Sequence, residues 1–463
     1  MKILFQKPLS GPSKHSSSES SAVYRFTYQE ALRELDNIIN TGVKYELAKI
    51  KRLSEILGNP QKKYRIVHIT GTKGKGSTGA ILSGVLTGKI KTGFFSSPHL
   101  VSFCERIRIN NQQISENKFA ENFSEIWPAI LQVETELGAK PSFFEIFTAL
   151  AYYIFRKEHV ELAIVEVGLG GRLDATNVAD GDICVLTRIH YDHIRILGNT
   201  LAQIAAEKAG IIKENSLVVN VNRGAETLPV IRKKVTESPG ASLFYAPSHY
   251  RIAVQKSDLS GLHLDVFKGN KLLYRNLFFP LPGAHQLENL KAALLTLELL
   301  SKIGFPVNVS TRDFSLISWP GRLQVYSHNP LVILDGAHNQ ISGKKLSEFL
   351  EQEFCGRKIL FLLGILEDKE YGKFIRILAP RMKKVVLTEV ESPRTLKLKS
   401  LFAELTKYLP ENRICVSRKN ENALKKALKI ARRENLPLII TGSLYLLGSC
   451  LKALDKIRVN EKN

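Results

Sequence analysis

The residue types best suited to chemistry cluster first at Gly71-Thr72-Lys73-Gly74-Lys75-Gly76-Ser77-Thr78. Glycines at 71, 74 and 76 let backbone N–H groups converge on an anion. Lys75 can reach β- and γ-phosphates, and Ser77 or Thr78 offers a hydroxyl to a phosphate-bound Mg²⁺. The spacing is not the usual GxxxxGK[ST], because Gly76 separates Lys75 from Ser77. The plainer alternative is a glycine-rich turn with a surface lysine. Against it stand the β-branched run YRIVHIT (64–70) before the loop and the helix-like GAILSGVLTG (79–88) after it. An ATPase of this kind also needs a carboxylate at the end of a later strand. Glu166 in LAIVEVGLGG supplies one, followed by Gly168, Gly170 and Gly171.

Elements of a particular kind must hold such residues. Residues 27–57 have apolar positions at helical spacing on either side of Gly42, which predicts two helices. Short apolar runs at 162–167, 183–189 and 217–221 read as buried strands, with helical patterns between them, so the sheet they form is parallel. From about Leu243 to Leu281 the text changes to glycine-punctuated alternation, predicting a small antiparallel subsheet, and a helix from His285 to Ser301 closes this part. Trp319-Pro320-Gly321-Arg322 reads as a hinge. A second α/β series follows, with strands at 331–335, 358–364, 384–390, 413–417 and 437–443. The expected fold is α/β: a P-loop-containing parallel-sheet ATPase domain with an antiparallel subsheet, plus a C-terminal Rossmann-like α/β domain. The boundaries are a disordered tail at 1–22, an ATP-binding domain at 23–304, a hinge at 305–322 and a C-terminal domain at 323–463, with a ligand site expected between the lobes.

Composition excludes several other classes. With 463 residues, 44% apolar and 24% charged, the chain is neither a disulfide-stapled mini-protein nor a polyelectrolyte. No apolar run approaches the roughly 18 residues of a membrane span, so no membrane partner is expected. Five well-separated cysteines form no zinc pattern and suit a reducing cytoplasm. The run Ile3-Leu4-Phe5 is too short for a secretory signal. Net charge is +22, and +12 of it lies between Pro320 and the end. Such a field draws anions, whether nucleotides, polycarboxylates or nucleic acid. Individual runs such as Lys425, Lys426 and Lys429 fall at helical spacing and read more simply as a solvated face.

A larger set of motifs carries a resemblance. HITGTKGKGST (68–78), SSPHL (96–100), ERIRIN (105–110), FFEIFTALA (143–151), VEVGLGGRLDATN (165–177) and DHIRILGNTLAQIAAEKAGIIK (192–213) are followed by LPGAHQLENLKAA (281–293), WPGR (319–322), LDGAHN (334–339) and TGSLYLLG (441–448). In number and order these resemble the Mur-ligase superfamily and, within it, the folylpolyglutamate and dihydrofolate synthases. The resemblance implies an ATP-dependent amide ligase of folate biosynthesis and one-carbon metabolism. The substrate carboxylate takes the γ-phosphoryl group of ATP, and the amine of L-glutamate attacks the resulting acyl phosphate. Such chemistry asks for positioning and charge stabilisation rather than a protein nucleophile.

The resemblance also implies roles. Gly74, Lys75, Gly76 and Ser77 would bind ATP phosphates; Ser97 and Glu166 would hold one Mg²⁺ and His193 a second; Lys208 would carry a carbamate. Lys75, His193 and Lys208 form the catalytic set. Asn289 would approach adenine, Arg322 the phosphates and Asp335 the ribose, with His338 beside it. Ser142, Phe143, Phe144 and Glu145, with Leu173, Asp174 and Ala175, would contact the folate or pteroate. Each has a blander reading: a surface helix lysine for Lys208, a capping or core role for His193, a helix-cap Asn289, a turn Asp335, core phenylalanines at 143 and 144. The expected partners are ATP, L-glutamate and folate or dihydropteroate, with no nucleic acid, and a monomer is the family's usual form. Lys73 stands where the family usually has Asn, Gln324 where an acid is common, and 42–50 departs from the DLGL-type segment used near dihydropteroate. Two alternatives compete: another Mur-type ligase, which normally carries a further amino-terminal UDP-binding domain, and a P-loop nucleic-acid binder, for which RNP-like and zinc motifs are lacking.

Overall fold

The computed structural model describes residues 24–39 and 46–460. The tail at 1–22 and residues 42–45 of the unusual segment lie outside the described residues. The two early helices are present as Tyr28–Ile39 and Ala48–Ile56.

The first sheet has eight strands: β1 (Arg65–Thr70), β2 (Thr92–Phe95), β3 (Ile107–Ile109), β4 (Gln112–Gln113), β5 (Leu162–Glu166), β6 (Ile183–Leu186), β7 (Leu217–Asn220) and β8 (Ser242–Tyr245). Their order is β4-β3-β2-β5-β1-β6-β7-β8. All neighbours are parallel except β2–β3 and β3–β4. β5 is buried throughout and β1 from its second residue onward, which is why both read as mainly apolar, β-branched runs rather than alternating ones. Ile69 pairs with Glu166, so the loops after β1 and β5 emerge side by side at the carboxyl ends of the strands.

One sequence boundary shifts. Ser242–Tyr245 pairs in parallel with β7 and completes the first sheet instead of opening the antiparallel one. The antiparallel sheet is β9 (Tyr250–Asp258), β10 (Gly261–Lys268) and β11 (Lys271–Phe279), in the order β11-β10-β9. The third sheet contains β12 (Gln324–His328), β13 (Leu331–Leu334), β14 (Ile359–Leu363), β15 (Met382–Leu387), β16 (Ile414–Val416) and β17 (Leu438–Thr441), in the order β12-β13-β17-β14-β15-β16. It is parallel apart from β12. β12, which the apolar pattern does not reveal, is a half-buried edge strand of mixed polarity.

Contacts divide the chain into two compact units. One comprises the residues up to Ser97 with 104–245 and 294–307; the other comprises 98–103, 246–293 and the residues from Asn308 onward. The antiparallel strands thus make their contacts in the second unit: Leu259 packs on the core containing Phe349, Phe361 and Phe374, and Tyr274 Oη donates to the Val309 carbonyl at 3.3 Å. In the same unit Gly448 is held to glycine, because a Cβ there would lie 1.9 Å from the Leu100 carbonyl oxygen. On the helix Asn420–Glu434, Lys425, Lys426 and Lys429 are exposed while Ala423, Leu424, Ala427 and Leu428 are buried, the solvated-face reading of that basic run. Among the described residues no helix is long and apolar enough to cross a membrane.

Candidate active site

The loop after β1 ends in Gly74, whose φ of +97° suits glycine, and the helix Lys75–Val85 starts at once. Lys75, Gly76, Ser77 and Thr78 therefore form the first turn of that helix, with its positive end at the loop. Gly71 adopts φ +146°, and a Cβ there would lie 1.9 Å from Thr187 Oγ1. Thr187, just after β6, thus dictates a glycine at the start of the loop. Lys75 Nζ donates to the Gly71 carbonyl at 3.3 Å and lies 3.9 Å from Glu166 Oε1. Glu166 Oε2 accepts from the Ser97 backbone N–H at 3.2 Å. The structure thus brings Lys75, Ser97 and Glu166 together, and the Glu166 carboxylate is only 4% exposed.

Lys208 joins them from the helix Leu201–Ala209, whose start is fixed by a Thr200/Gln203 capping box. Its Nζ donates to the Gly71 carbonyl at 3.1 Å, and the side chain is buried. The surface-lysine reading therefore gives way to a buried amine facing the phosphate loop. Burial, reinforced by the Lys75 and Lys73 ammonium groups, brings its pKa down to about 7. Lys73 Nζ lies 3.7 Å from Asp192 Oδ2, so the cation that departs from the family pattern has an acidic neighbour. His193 is exposed, adopts φ +49° just before the short helix Ile194–Leu197, and sits with Nε2 3.7 Å from Asp192 Oδ1.

The stretch expected at the folate is built on local caps. Ser142 accepts from the Glu145 N–H while Glu145 Oε2 accepts from the Ser142 N–H, which starts the helix Phe143–Lys157. The other Glu145 carboxylate oxygen, Oε1, is buried without a partner. Phe144 packs where a Cβ on Gly168 would lie 2.5 Å from its ring, and the Arg106 guanidinium lies 5.3 Å from the Phe143 ring. Asp174 is buried between Leu173 and Ala175; its carboxylate accepts from the Leu169 and Thr176 N–H groups and from Thr176 Oγ1. Burial raises its pKa despite those bonds.

In the second unit, Asp335 follows β13 and accepts from the Leu323 N–H at 3.0 Å and the Ala337 N–H at 2.9 Å. It thereby anchors the turn after Gly321, where Leu323 adopts φ +47°. Arg322 Nη1 donates to the Gly321 carbonyl at 3.4 Å, and a Cβ on Gly336 would lie 2.3 Å from that same nitrogen. Gln324 fills the place of the expected acid by accepting from the Gly321 N–H at 2.9 Å. His338 pairs through Nδ1 with the Gly336 carbonyl at 2.7 Å, and Asn289 donates to Gln286 Oε1 at 2.8 Å.

Two histidines, one buried and one half-buried, escaped the sequence reading. His68, in the middle of β1, pairs through Nε2 with Thr176 Oγ1 at 2.9 Å, and burial takes its pKa down to about 3. His285, whose pKa burial also lowers, lies in the fields of Asp335 and Arg322. A polar residue inside a β-branched run is the signal for His68; His285 sits in the LPGAHQLEN motif with nothing local to single it out.

The donor set can be tested against a hard divalent cation. Glu166, Ser77 and Ser97 offer oxygen atoms, which suits Mg²⁺. Among the described residues no three His, Cys, Asp or Glu side chains cluster as a ready-made metal cage.

Family models match the chain at residues 69–297 (Mur ligase middle domain) and 321–444 (Mur ligase, glutamate ligase domain). The dihydrofolate synthase/folylpolyglutamate synthase of Bacillus subtilis is 33% identical over 435 residues, covering 92% of this chain and 99% of that protein. The folylpolyglutamate synthase of Lacticaseibacillus casei is 31% identical over 88% of this chain and 94% of its own. Among solved structures, Mycobacterium tuberculosis folylpolyglutamate synthase complexed with ADP superposes with a TM-score of 0.83 at 29% identity, covering 92% of this chain and 98% of that one. E. coli FolC in complex with DHPP and ADP superposes with a TM-score of 0.79 at 26% identity, covering 94% and 99%.

Proposed function

The chain belongs to the folylpolyglutamate synthase/dihydrofolate synthase family of Mur ligases, and on that premise we propose that it joins L-glutamate to folates, and to dihydropteroate, at the expense of ATP. The observation that carries this reading is the group at the phosphate loop: Lys75 and Lys208 on the Gly71 carbonyl, with Glu166 beside Lys75 and bonded to the Ser97 backbone.

In this reading Gly74, Gly76 and Ser77 present backbone N–H groups to the ATP phosphates, and Lys75 neutralises charge as the γ-phosphoryl group moves to the acceptor carboxylate. Ser97 and Glu166 would hold one Mg²⁺ and His193 a second, and when bound the ions would supply positive charge to the phosphoryl oxygens. Lys208 is the near-neutral amine required to add carbon dioxide: its lone pair attacks the carbon, a proton leaves, and the product is an anion in place of a cation. The amine of L-glutamate then forms the new amide bond and phosphate departs. Asn289, Arg322, Asp335 and His338 serve adenine, phosphates and ribose. The Asp335 oxygens do so with the lone pairs left over from the Leu323 and Ala337 N–H groups. Ser142, Phe143, Phe144, Glu145, Leu173, Asp174 and Ala175 serve the acceptor, with Glu145 Oε1 as the uncommitted atom among them. Residues 23–304 act as the ATP-binding part and 323–463 as the glutamate-ligase part, in a cytoplasmic monomer.

The test is phosphate release from ATP with Mg²⁺ and L-glutamate, comparing tetrahydrofolate and dihydropteroate as acceptors. Release with both is the expected result. Release with tetrahydrofolate alone restricts the enzyme to polyglutamylation, and release with neither overturns the reading.

A further inference from the structure

A cavity of about 380 Å³ lies in the first unit, lined among others by Lys51, Ser54, Gln61, Lys62, Asn177 and Lys213. Gln61 and Lys62 come just before β1, Lys213 just before β7, and Asn177 in the turn leading to β6. The cavity thus reaches the edge where strands begin, whereas the phosphate loop and Glu166 stand where strands end.

Its polar chemistry is incomplete. Ser54, Gln61 and Asn177 are 2%, 4% and 7% exposed, yet Ser54 Oγ, Gln61 Oε1 and Asn177 Oδ1 have no hydrogen-bond partner. The amide orientations are fixed by their nitrogens: Gln61 Nε2 donates to Asn59 Oδ1 at 3.2 Å, and Asn177 Nδ2 donates to the Arg172 and Gly210 carbonyls at 2.9 and 3.1 Å. Both amides are left with acceptors that call for a donor, and buried acceptors are costly when unmet. The charges around them differ in commitment. Lys213 Nζ is taken by the Asn177 and Ala179 carbonyls and by Asp180, each at 2.8 Å. Glu55, which also lines the cavity, pairs with Arg52 at 3.2 Å. Lys51 and Lys62 are exposed, and neither ammonium has a partner among the described residues.

A bare sulfate would answer the lysines but offer no donor to two amide oxygens, and a simple amine would do the reverse. We propose that this cavity is a second ligand site, for a small amino-dicarboxylic acid whose ammonium group donates to Gln61 and Asn177 while its carboxylates meet Lys51 and Lys62. The choice of L-glutamate as the probe rests on the ligase reading above; the cavity's chemistry does not.

The experiment is calorimetric titration of the full chain with L-glutamate in the absence of nucleotide and folate, beside glutarate, which has both carboxylates and no ammonium. One equivalent of L-glutamate should bind, with glutarate weaker by about tenfold or more, the scale of a lost charge-assisted hydrogen bond. Gln61→Met should weaken L-glutamate to a similar extent, as should the exposed pair Lys51→Glu with Lys62→Glu, which leaves the core untouched; Lys75→Ala should bind as the parent does. No binding, glutarate binding as tightly as glutamate, or binding that survives at Lys51 and Lys62 but is lost in Lys75→Ala each overturns the proposal. Ligation measured in parallel separates the two readings. Glutamylation without nucleotide-free binding removes only the second site, whereas binding without glutamylation leaves it standing and removes the ligase.

Discussion

Lys208 is the residue at which local chemistry and burial meet most directly. Its ammonium form is disfavoured by burial and by Lys75 and Lys73, so the folded amine loses its proton near pH 7 while an unfolded lysine keeps it to about pH 10.4. Between those values the unfolded chain binds more protons, and this group therefore makes stability rise with pH; below about 7 both states are protonated and its contribution is flat. In buffer free of carbon dioxide, the parent should gain more in urea midpoint between about pH 7.5 and 9.5 than Lys208→Met. Equal gains would show that the amine is charged in the fold. Gln324 makes a different point at the same scale. Its amide oxygen takes the Gly321 N–H, so a neutral side chain does the structural work expected of an acid.

At the scale of elements, the helix Lys75–Val85 is held against β2 by the absence of a side chain. A Cβ on Gly79 would lie 2.5 Å from Phe94 Cε2, in a ring that is fully buried. Alanine favours a helix over glycine by about 1 kcal/mol, but a crowded core costs about 1–3 kcal/mol, and backbone and ring are both fixed here. Gly79→Ala is therefore expected to destabilise the protein by about 1–2 kcal/mol in equilibrium denaturation and to weaken ATP binding, because the same helix begins at Lys75. A stabilised variant would refute the packing argument. Strand order was legible only in part: β1 and β5 announced themselves as apolar runs, but their adjacency, and the pairing of Ile69 with Glu166, is a long-range register that no local pattern encodes.

The whole molecule carries a net charge of +22, with +12 of it from Pro320 onward. A field of that sign favours anionic acceptors and is screened beyond about 8 Å at physiological ionic strength. The Michaelis constant for a folate bearing several glutamates should therefore rise more steeply between about 50 and 300 mM salt than that for the monoglutamate. Lys426→Glu with Lys429→Glu, on the exposed face of the helix Asn420–Glu434, should reduce the difference. Identical salt slopes for the two acceptors would show that the field plays no part in tail recognition.

The sequence by itself determined the α/β class, the strand–loop–helix at 65–85, the presence of a small antiparallel subsheet and the ordered set of motifs, because apolar periodicity and glycine placement are local constraints that survive without neighbours. Only the tertiary structure decided which of those residues meet. It buried Lys208 against the Gly71 carbonyl, joined Glu166 to the Ser97 backbone, committed Asp174 and Asp335 to backbone N–H groups, and left Ser54 Oγ, Gln61 Oε1 and Asn177 Oδ1 without a partner around one cavity. Burial and hydrogen-bond satisfaction depend on chain segments far apart in sequence, so neither can be read from composition or spacing.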